Sequence, residues 1–276
     1  MLETFPLSLC PTGMVPTRAD SPYVPISPTE IADQVAECAE FGVTSVHLHA
    51  RSDTGEPAWQ QDIFADIISR IRQVTPDLVI CVTTSGRRES SLEKRSDVLS
   101  LDGNLKPDMA SLTLSSMNFA TSASVNDPET VQALARTMLK KGIIPELEIF
   151  DTGMVNYLNY LRHKGLLAEP LVVNFILGGI ATAQATLLDL GSLVERLPDG
   201  AIWSVGGIGR AQLPATTMAL AAGGGVRIGL EDNLHLDSSR SRLATNKDLV
   251  ARIVEIANQL GRSPMKPDQF RAVLAR

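Results

Sequence analysis

Short β-rich runs alternate with helix-length amphipathic stretches along the whole chain, and that alternation fits few architectures other than repeated βα units around a parallel sheet. Eight runs read as strands: Leu7 to Cys10, Ser45 to His49, Leu78 to Thr83, Met109 to Leu114, Ile144 to Glu148, Leu171 to Leu177, Ala201 to Val205 and Val226 to Leu230. Helix starts are signalled by Ser27-Pro28-Thr29-Glu30 before Ile31 and by Asn126-Asp127-Pro128-Glu129 before Val131. A final helix is expected near Lys247 to Leu260, ending at Gly261. Eight βα units in 276 residues predict an α/β fold of the (β/α)8 TIM-barrel type, which typically takes about 250 residues. A doubly wound open sheet is the alternative, but its Gly-x-Gly-x-x-Gly fingerprint after the first strand is absent. No Pro-, Ser- or Gly-rich linker divides the chain, so residues 1–276 are expected to form one domain.

Composition narrows the partners. Lys and Arg number 25 against 31 Asp and Glu, a net charge of −6, with no basic patch or tail, so nucleic acid and anionic membranes are not expected partners. The start of the chain lacks a positive segment followed by a long apolar one, and no later run is apolar for the length a bilayer demands. A soluble cytoplasmic protein is expected. Cys10, Cys38 and Cys81 are odd in number and widely spaced, which fits neither a disulfide framework nor a thiolate zinc site; they read as small core residues.

In such barrels the chemistry gathers where the strands end, so the strand-end residues form one list. His47 and His49 lie two apart on a strand and face the same side, half of a site for Zn²⁺, Fe²⁺ or Mn²⁺; the structural reading is a pair of hydrogen-bonded core histidines. Glu231 or Asp232, after a strand that closes beside the first, is in position to complete the set, although an ordinary acidic loop pair is the simpler account. Thr83-Thr84-Ser85-Gly86 offers hydroxyls and amides to a small carboxylate, or is merely a strand-to-helix turn. Ser111, Thr113, Glu146, Glu148, Asn174 and Arg227 add further polar strand positions, and buried glutamates there need partners. Gly206, Gly207 and Gly209 ahead of a helix resemble a phosphate-receiving loop, whereas Gly223-Gly224-Gly225 reads as a tight connection at the other end. His163 reads as a surface residue, His235 carries no supporting pattern, and Trp59 and Trp203 read as packing.

With these residues in place the chain resembles the β-keto acid cleavage enzymes, a family long catalogued only as a domain of unknown function. The matching motifs are Thr12-Gly13 with Thr17-Arg18-Ala19-Asp20, His47-Leu48-His49-Ala50-Arg51, Thr83 to Gly86, and Met117-Asn118-Phe119. Further on come Pro145-Glu146-Leu147-Glu148, Gly206-Gly207-Ile208-Gly209-Arg210 and Arg227-Ile228-Gly229-Leu230-Glu231-Asp232-Asn233. The resemblance implies a TIM barrel holding one Zn²⁺ through His47, His49 and Glu231. It also implies a reaction in which a 3-keto acid and acetyl-CoA give acetoacetate and a new acyl-CoA, and a homo-oligomer, a tetramer by likeness. On that reading Asp232, held by Arg227 and Glu148, is the general base. Thr83, Gly86, Ser111 and Thr113 hold the substrate, and the Gly206, Gly207 and Gly209 loop receives the CoA.

One departure bears on specificity. Relatives acting on a keto acid with a distal ammonium carry an acidic residue shortly after the Thr-Gly of the first strand, where this chain has Val15. An ammonium left without a partner there is costly to desolvate, so an amino-bearing keto acid is not the expected substrate. A neutral tail is favoured, or an acidic one if Arg87 or Arg88 turns inward. Where some relatives have glycine this chain has Ser85, which narrows the carboxylate pocket. The competing readings are a CoA-independent zinc aldolase or 1,3-dicarbonyl hydrolase, and a non-catalytic metabolite-binding barrel.

Overall fold

The eight β-rich runs all become strands of one closed parallel barrel in the computed structural model, which describes residues 3–275. They are β1 (Leu7–Leu9), β2 (Ser45–Leu48), β3 (Val79–Val82), β4 (Met109–Thr113), β5 (Ile144–Ile149), β6 (Val172–Leu177), β7 (Ile202–Gly207) and β8 (Gly225–Ile228). Neighbours in sequence are neighbours in the barrel, and β8 closes on β1 through pairs such as Arg227 with Ser8. The helices following these strands include α1 (Pro28–Ala39), α2 (Gln61–Val74), α3 (Leu92–Asp97), α4 (Pro128–Lys141), α5 (Thr152–His163), α6 (Leu187–Val194), α7 (Gln212–Ala222) and α8 (Asn246–Gln259). Both expected helix starts are capped: Ser27 and Glu30 form a reciprocal capping box on α1, and the Asp127 carboxylate accepts from the amides of Glu129 and Thr130 on α4.

Strand alternation explains where the polar residues went. Val46 and Leu48 of β2, Leu147 and Ile149 of β5, and Val173, Phe175 and Leu177 of β6 join the apolar core that includes buried residues of the helices. The residues between them, His47, Glu146, Glu148 and Asn174, are also buried and meet one another, Glu146 touching both His47 and Asn174. The core therefore lies between barrel and helices, while the barrel's inside carries a polar layer near the strands' C-terminal ends.

One expectation is corrected. The helix expected from Lys247 to Leu260 forms as α8, but it is not the last: Ser263–Pro264 pairs in parallel with Thr4–Phe5, and a further helix, α9 (Pro267–Leu274), follows. Its Phe270 and Leu274 pack with Val79, Cys81, Met109 and Val172, the lower inward layer of the barrel, and so plug the end opposite the site. The Gly223–Gly225 segment enters β8 at this same lower end, where a side chain on Gly224 would overlap the Trp203 ring. Among the described residues no helix is long and apolar enough to cross a membrane.

Candidate active site

His47 and His49 both reach the barrel's interior, as their spacing predicts, with ring centroids 5.2 Å apart and Nε2 atoms 3.3 Å apart. Glu231, three residues beyond the end of β8 at Ile228, brings Oε1 to 3.2 Å from His49 Nε2. One ligand atom from each of the three residues fits within 4.8 Å of the others. Glu231 Oε2 is buried and has no hydrogen-bond partner among the described residues, so one carboxylate oxygen of the set is left free to bind. Two nitrogens and a carboxylate converging this way fit a divalent transition metal with open positions.

Glu146 explains how the imidazole is aimed. Its Oε2 lies 2.7 Å from His47 Nδ1, which fixes the proton on Nδ1 and turns the Nε2 lone pair toward His49 and Glu231. The second donor set, His47, Cys81 and Glu146, uses that same Nδ1, already engaged by Glu146. Burial pushes the Cys81 thiol well above its usual range, with Glu146 and Glu148 adding to the effect, so it stays a thiol. Of the two, the set His47, His49 and Glu231 is the better candidate for a metal centre.

Arg227 organises the acids beside it. Its guanidinium donates to Asp232 at 2.9 Å through Nε and to Glu231 at 2.6 Å through Nη2, while Nη1 lies 3.7 Å from Glu148. Glu148 also accepts from the Thr113 hydroxyl at 2.5 Å. Glycines make this crowding possible. Gly13, at φ +65°, lies where a Cβ would come within 2.6 Å of Glu231 Cγ, and a Cβ on Gly206 would press on the Arg227 stem at 3.0 Å.

Burial opposes charge on every one of these groups, and neighbours decide which retain it. Glu231 is pushed upward by burial, yet His49, Arg227 and His47 outweigh this and hold it well below the carboxylate range. Glu146 is likewise brought below its usual value, burial being overcome by His47 and Arg227. Asp232 goes the other way: burial raises it, Arg227 offsets only part, and Glu231 adds to the rise. Glu148 is also raised by burial against the pull of His47 and Arg227. Burial disfavours imidazolium at both histidines; Glu146 and Glu231 reverse that at His47, whereas at His49 Glu231 does not and the value falls. Carboxylates a few ångströms apart thus carry different proton affinities, the condition for dividing ligand and base roles among them.

The cavity above this floor has a volume of about 580 Å³ and is lined by His49, Thr83, Thr113, Glu148, Arg227, Glu231 and Asp232 among others. Of the remaining expected residues, Gly86 and Ser111 stand behind the wall. The Ser111 hydroxyl accepts from the Thr84 amide at 3.2 Å, and Gly86 leaves room for Arg95, whose guanidinium donates to the carbonyls of Thr84 and Val125 and to Asn126. Gly206 and Gly207 face protein, against Arg227 and the start of α7, whereas Gly209 lines the cavity and has open space at its Cβ position. Trp203 packs on Phe175, and His163 is exposed.

Three contributions escaped sequence reasoning: the Glu146 contact to His47, the Arg95 brace under the Thr83–Gly86 loop, and Arg51, which donates to the carbonyls of Gly13, Pro16 and Gly55. Arg51 was readable as a strand-end residue but not as the clamp of the first loop. For Glu146 the available signal was its two-residue alternation with Glu148, which points both inward.

Fold and site together define a TIM-barrel enzyme with a candidate metal centre and a buried acid–base cluster at the C-terminal ends of its strands. A family profile described as beta-keto acid cleavage enzyme matches residues 6–275, and the chain belongs to that family. The chain is 33% identical, over 100% of its length and 99% of the relative's, to the 3-keto-5-aminohexanoate cleavage enzyme of Fusobacterium nucleatum. It is 34% identical to the 3-oxoadipate:acetyl-CoA acetyltransferase of Cupriavidus necator, over 97% of this chain and 93% of that one. Among solved structures, apo ObcA superimposes with a TM-score of 0.83 at 20% identity, covering 94% of this chain and 66% of that chain, a likeness of fold.

Proposed function

We propose that this protein is a zinc-dependent enzyme that converts a 3-keto acid and acetyl-CoA into acetoacetate and a new acyl-CoA, the acyl tail carrying no ammonium group. The observation that carries the reading is the convergence of His47 with His49 and Glu231, the latter two lining one cavity with Asp232, itself held by Arg227. The name of the Cupriavidus necator relative, an acetyl-CoA acetyltransferase acting on a 3-oxo acid, supports it. Zn²⁺ bound there supplies Lewis acidity toward a keto acid's carbonyl and carboxylate oxygens.

The chain's own residues do the rest. Asp232 takes a proton from C2 of the keto acid, and burial, which raises its proton affinity, suits a base. Arg227 keeps that carboxylate aimed through two donors, and Glu148 with Thr113 closes the far side of the guanidinium. The reaction balances if C2 attacks the acetyl thioester and expels the CoA thiolate. That thiolate then adds to the original keto carbon, the C2–C3 bond breaks with its electron pair left on C2, Asp232 returns its proton to C2, and acetoacetate leaves beside the acyl-CoA. Thr83 and Ser85 present hydroxyls on the cavity wall to the substrate's carboxylate, and the Gly209 backbone opens one side to the thioester. Val15, also on the wall, offers no charge to an amino tail. Ile180, Leu187 and Leu188 are 74%, 78% and 81% exposed on the segment after β6, an apolar surface that supports assembly into a homo-oligomer.

The test is acetoacetate formation by the zinc-loaded protein from a panel of 3-keto acids, with and without acetyl-CoA. Product that requires acetyl-CoA is the expected result. Keto acid consumption without it would move the function to a CoA-independent carbon–carbon lyase.

A further inference from the structure

We infer that Arg87 recognises an anionic group at the distal end of the keto acid, so that the preferred substrate is a 3-keto dicarboxylate. This rests on the reaction proposed above and adds the chemistry of the tail. Arg87 lines the main cavity in the loop after β3, half-buried, with its guanidinium carbon 3.8 Å above the Phe119 ring centroid. Its Nε reaches the Ser122 hydroxyl only at 3.4 Å, and neither terminal nitrogen has a hydrogen bond or an ion pair among the described residues. The buried arginines of the site differ: Arg51, Arg95 and Arg227 direct their guanidinium groups at carbonyls, an amide oxygen or carboxylates of the protein.

A planar cation stacked on an aromatic ring, with its fork free and its surroundings partly dry, is built for a carboxylate held by two hydrogen bonds. Burial lowers the Arg87 pKa and Arg88 lowers it further, while Glu231 raises it, so the guanidinium sits within the field of the metal-centre carboxylate. Arg88 is exposed and lines a smaller adjoining cavity of about 210 Å³ with Glu89 and Lys94, one that shares His49, Thr83 and Ser85 with the main cavity, whereas Arg87 lines the main cavity itself and carries no acid partner there among the described residues. The acids of the floor, Glu148, Glu231 and Asp232, repel an anionic tail from below; of the other cations lining the cavity, Arg227 is engaged by those acids and Arg240 is exposed to water, which favours the Arg87 wall as its resting place. Asp20 is the acid on the cavity's rim, but it is exposed and its Oδ2 is tied to the Thr17 amide and hydroxyl at 2.9 and 2.7 Å. Water and those bonds leave it a poor site for an ammonium.

The experiment compares kcat/KM for 3-ketoadipate, 3-ketohexanoate and 3-keto-5-aminohexanoate in the wild type, Arg87→Met and Arg87→Lys. The wild type should favour the dicarboxylate over 3-ketohexanoate by about tenfold or more, Arg87→Met should erase that ratio chiefly through the KM of the dicarboxylate, and Arg87→Lys should retain part of it. Equal losses on all three keto acids would mean that Arg87 holds their shared carboxylate, and a rise confined to the KM of acetyl-CoA would mean that it holds a phosphate; either overturns the inference. Calorimetric binding of adipate against hexanoate reads the same contact without turnover. If no acetoacetate forms but adipate binding depends on Arg87, the reaction assignment fails and the tail assignment stands; equal binding to wild type and Arg87→Met sinks the tail assignment alone.

Discussion

His47 can offer only one nitrogen to a cation, because Glu146 holds the other at 2.7 Å, and the site's metal affinity should depend on that contact. Glu146→Gln is expected to weaken Zn²⁺ binding by about 10–100-fold in a chelator-competition titration. Unchanged affinity would mean that the imidazole is oriented by packing instead. Asp232→Asn should keep the metal centre and lower kcat by about 100-fold or more, measured as acetoacetate release at saturating acetyl-CoA; wild-type turnover in that variant would remove Asp232 as the base. The histidine pair was legible because strand alternation is local, two residues along one strand. Glu146 was not, since its partner is 99 residues away and the contact exists only once β5 faces β2 across the closed barrel.

At the level of elements, loops are set by a few backbone demands that the sequence states openly and by clamps that it hides. Gly13 combines φ +65° with a Cβ position 2.6 Å from Glu231 Cγ, so Gly13→Ala should cost about 1 kcal/mol or more of stability and displace Glu231, reducing Zn²⁺ affinity with it. Urea unfolding and metal titration of the same variant check both effects. Helix α1 carries a pH signature. Glu30, bonded first by Arg18 and also by the Ser27 and Ile26 amides, has its pKa lowered from 4.5 to about 2. A depressed carboxyl pKa adds stability above the unfolded value and loses it as pH falls through the folded one. Glu30→Gln should therefore flatten the stability profile between pH 4.5 and 2, and a wild-type slope in the variant would contradict the assignment. The α1 and α4 caps were readable as Ser-Pro-Thr-Glu and Asp-Pro-Glu strings, whereas the brace from Arg95 to the Thr83–Gly86 loop depends on where α3 comes to rest.

Across the whole molecule the barrel separates stability from chemistry by its two ends. The strands alternate so that outward residues join the helices while inward ones form an apolar layer below, sealed by α9, and a polar layer above. Phe270→Ala should cost about 3–5 kcal/mol in urea unfolding while leaving the Zn²⁺ dissociation constant of the folded protein unchanged, because Phe270 is 2% exposed and packs at the closed end. A parallel loss of metal affinity would show that the two ends are coupled. The eight-strand order was legible because each strand announced itself in turn; the plug was not, because α9 is short and its apolar residues find their partners only under a finished barrel. Acetyl transfer onto a keto acid in the upper cavity is read most directly by ¹³C NMR of the reaction run with methyl-labelled acetyl-CoA. Label appearing in the terminal methyl of acetoacetate, with the new acyl-CoA unlabelled, is the predicted result; unlabelled acetoacetate, or keto acid cleaved while the label stays in acetyl-CoA, would contradict it.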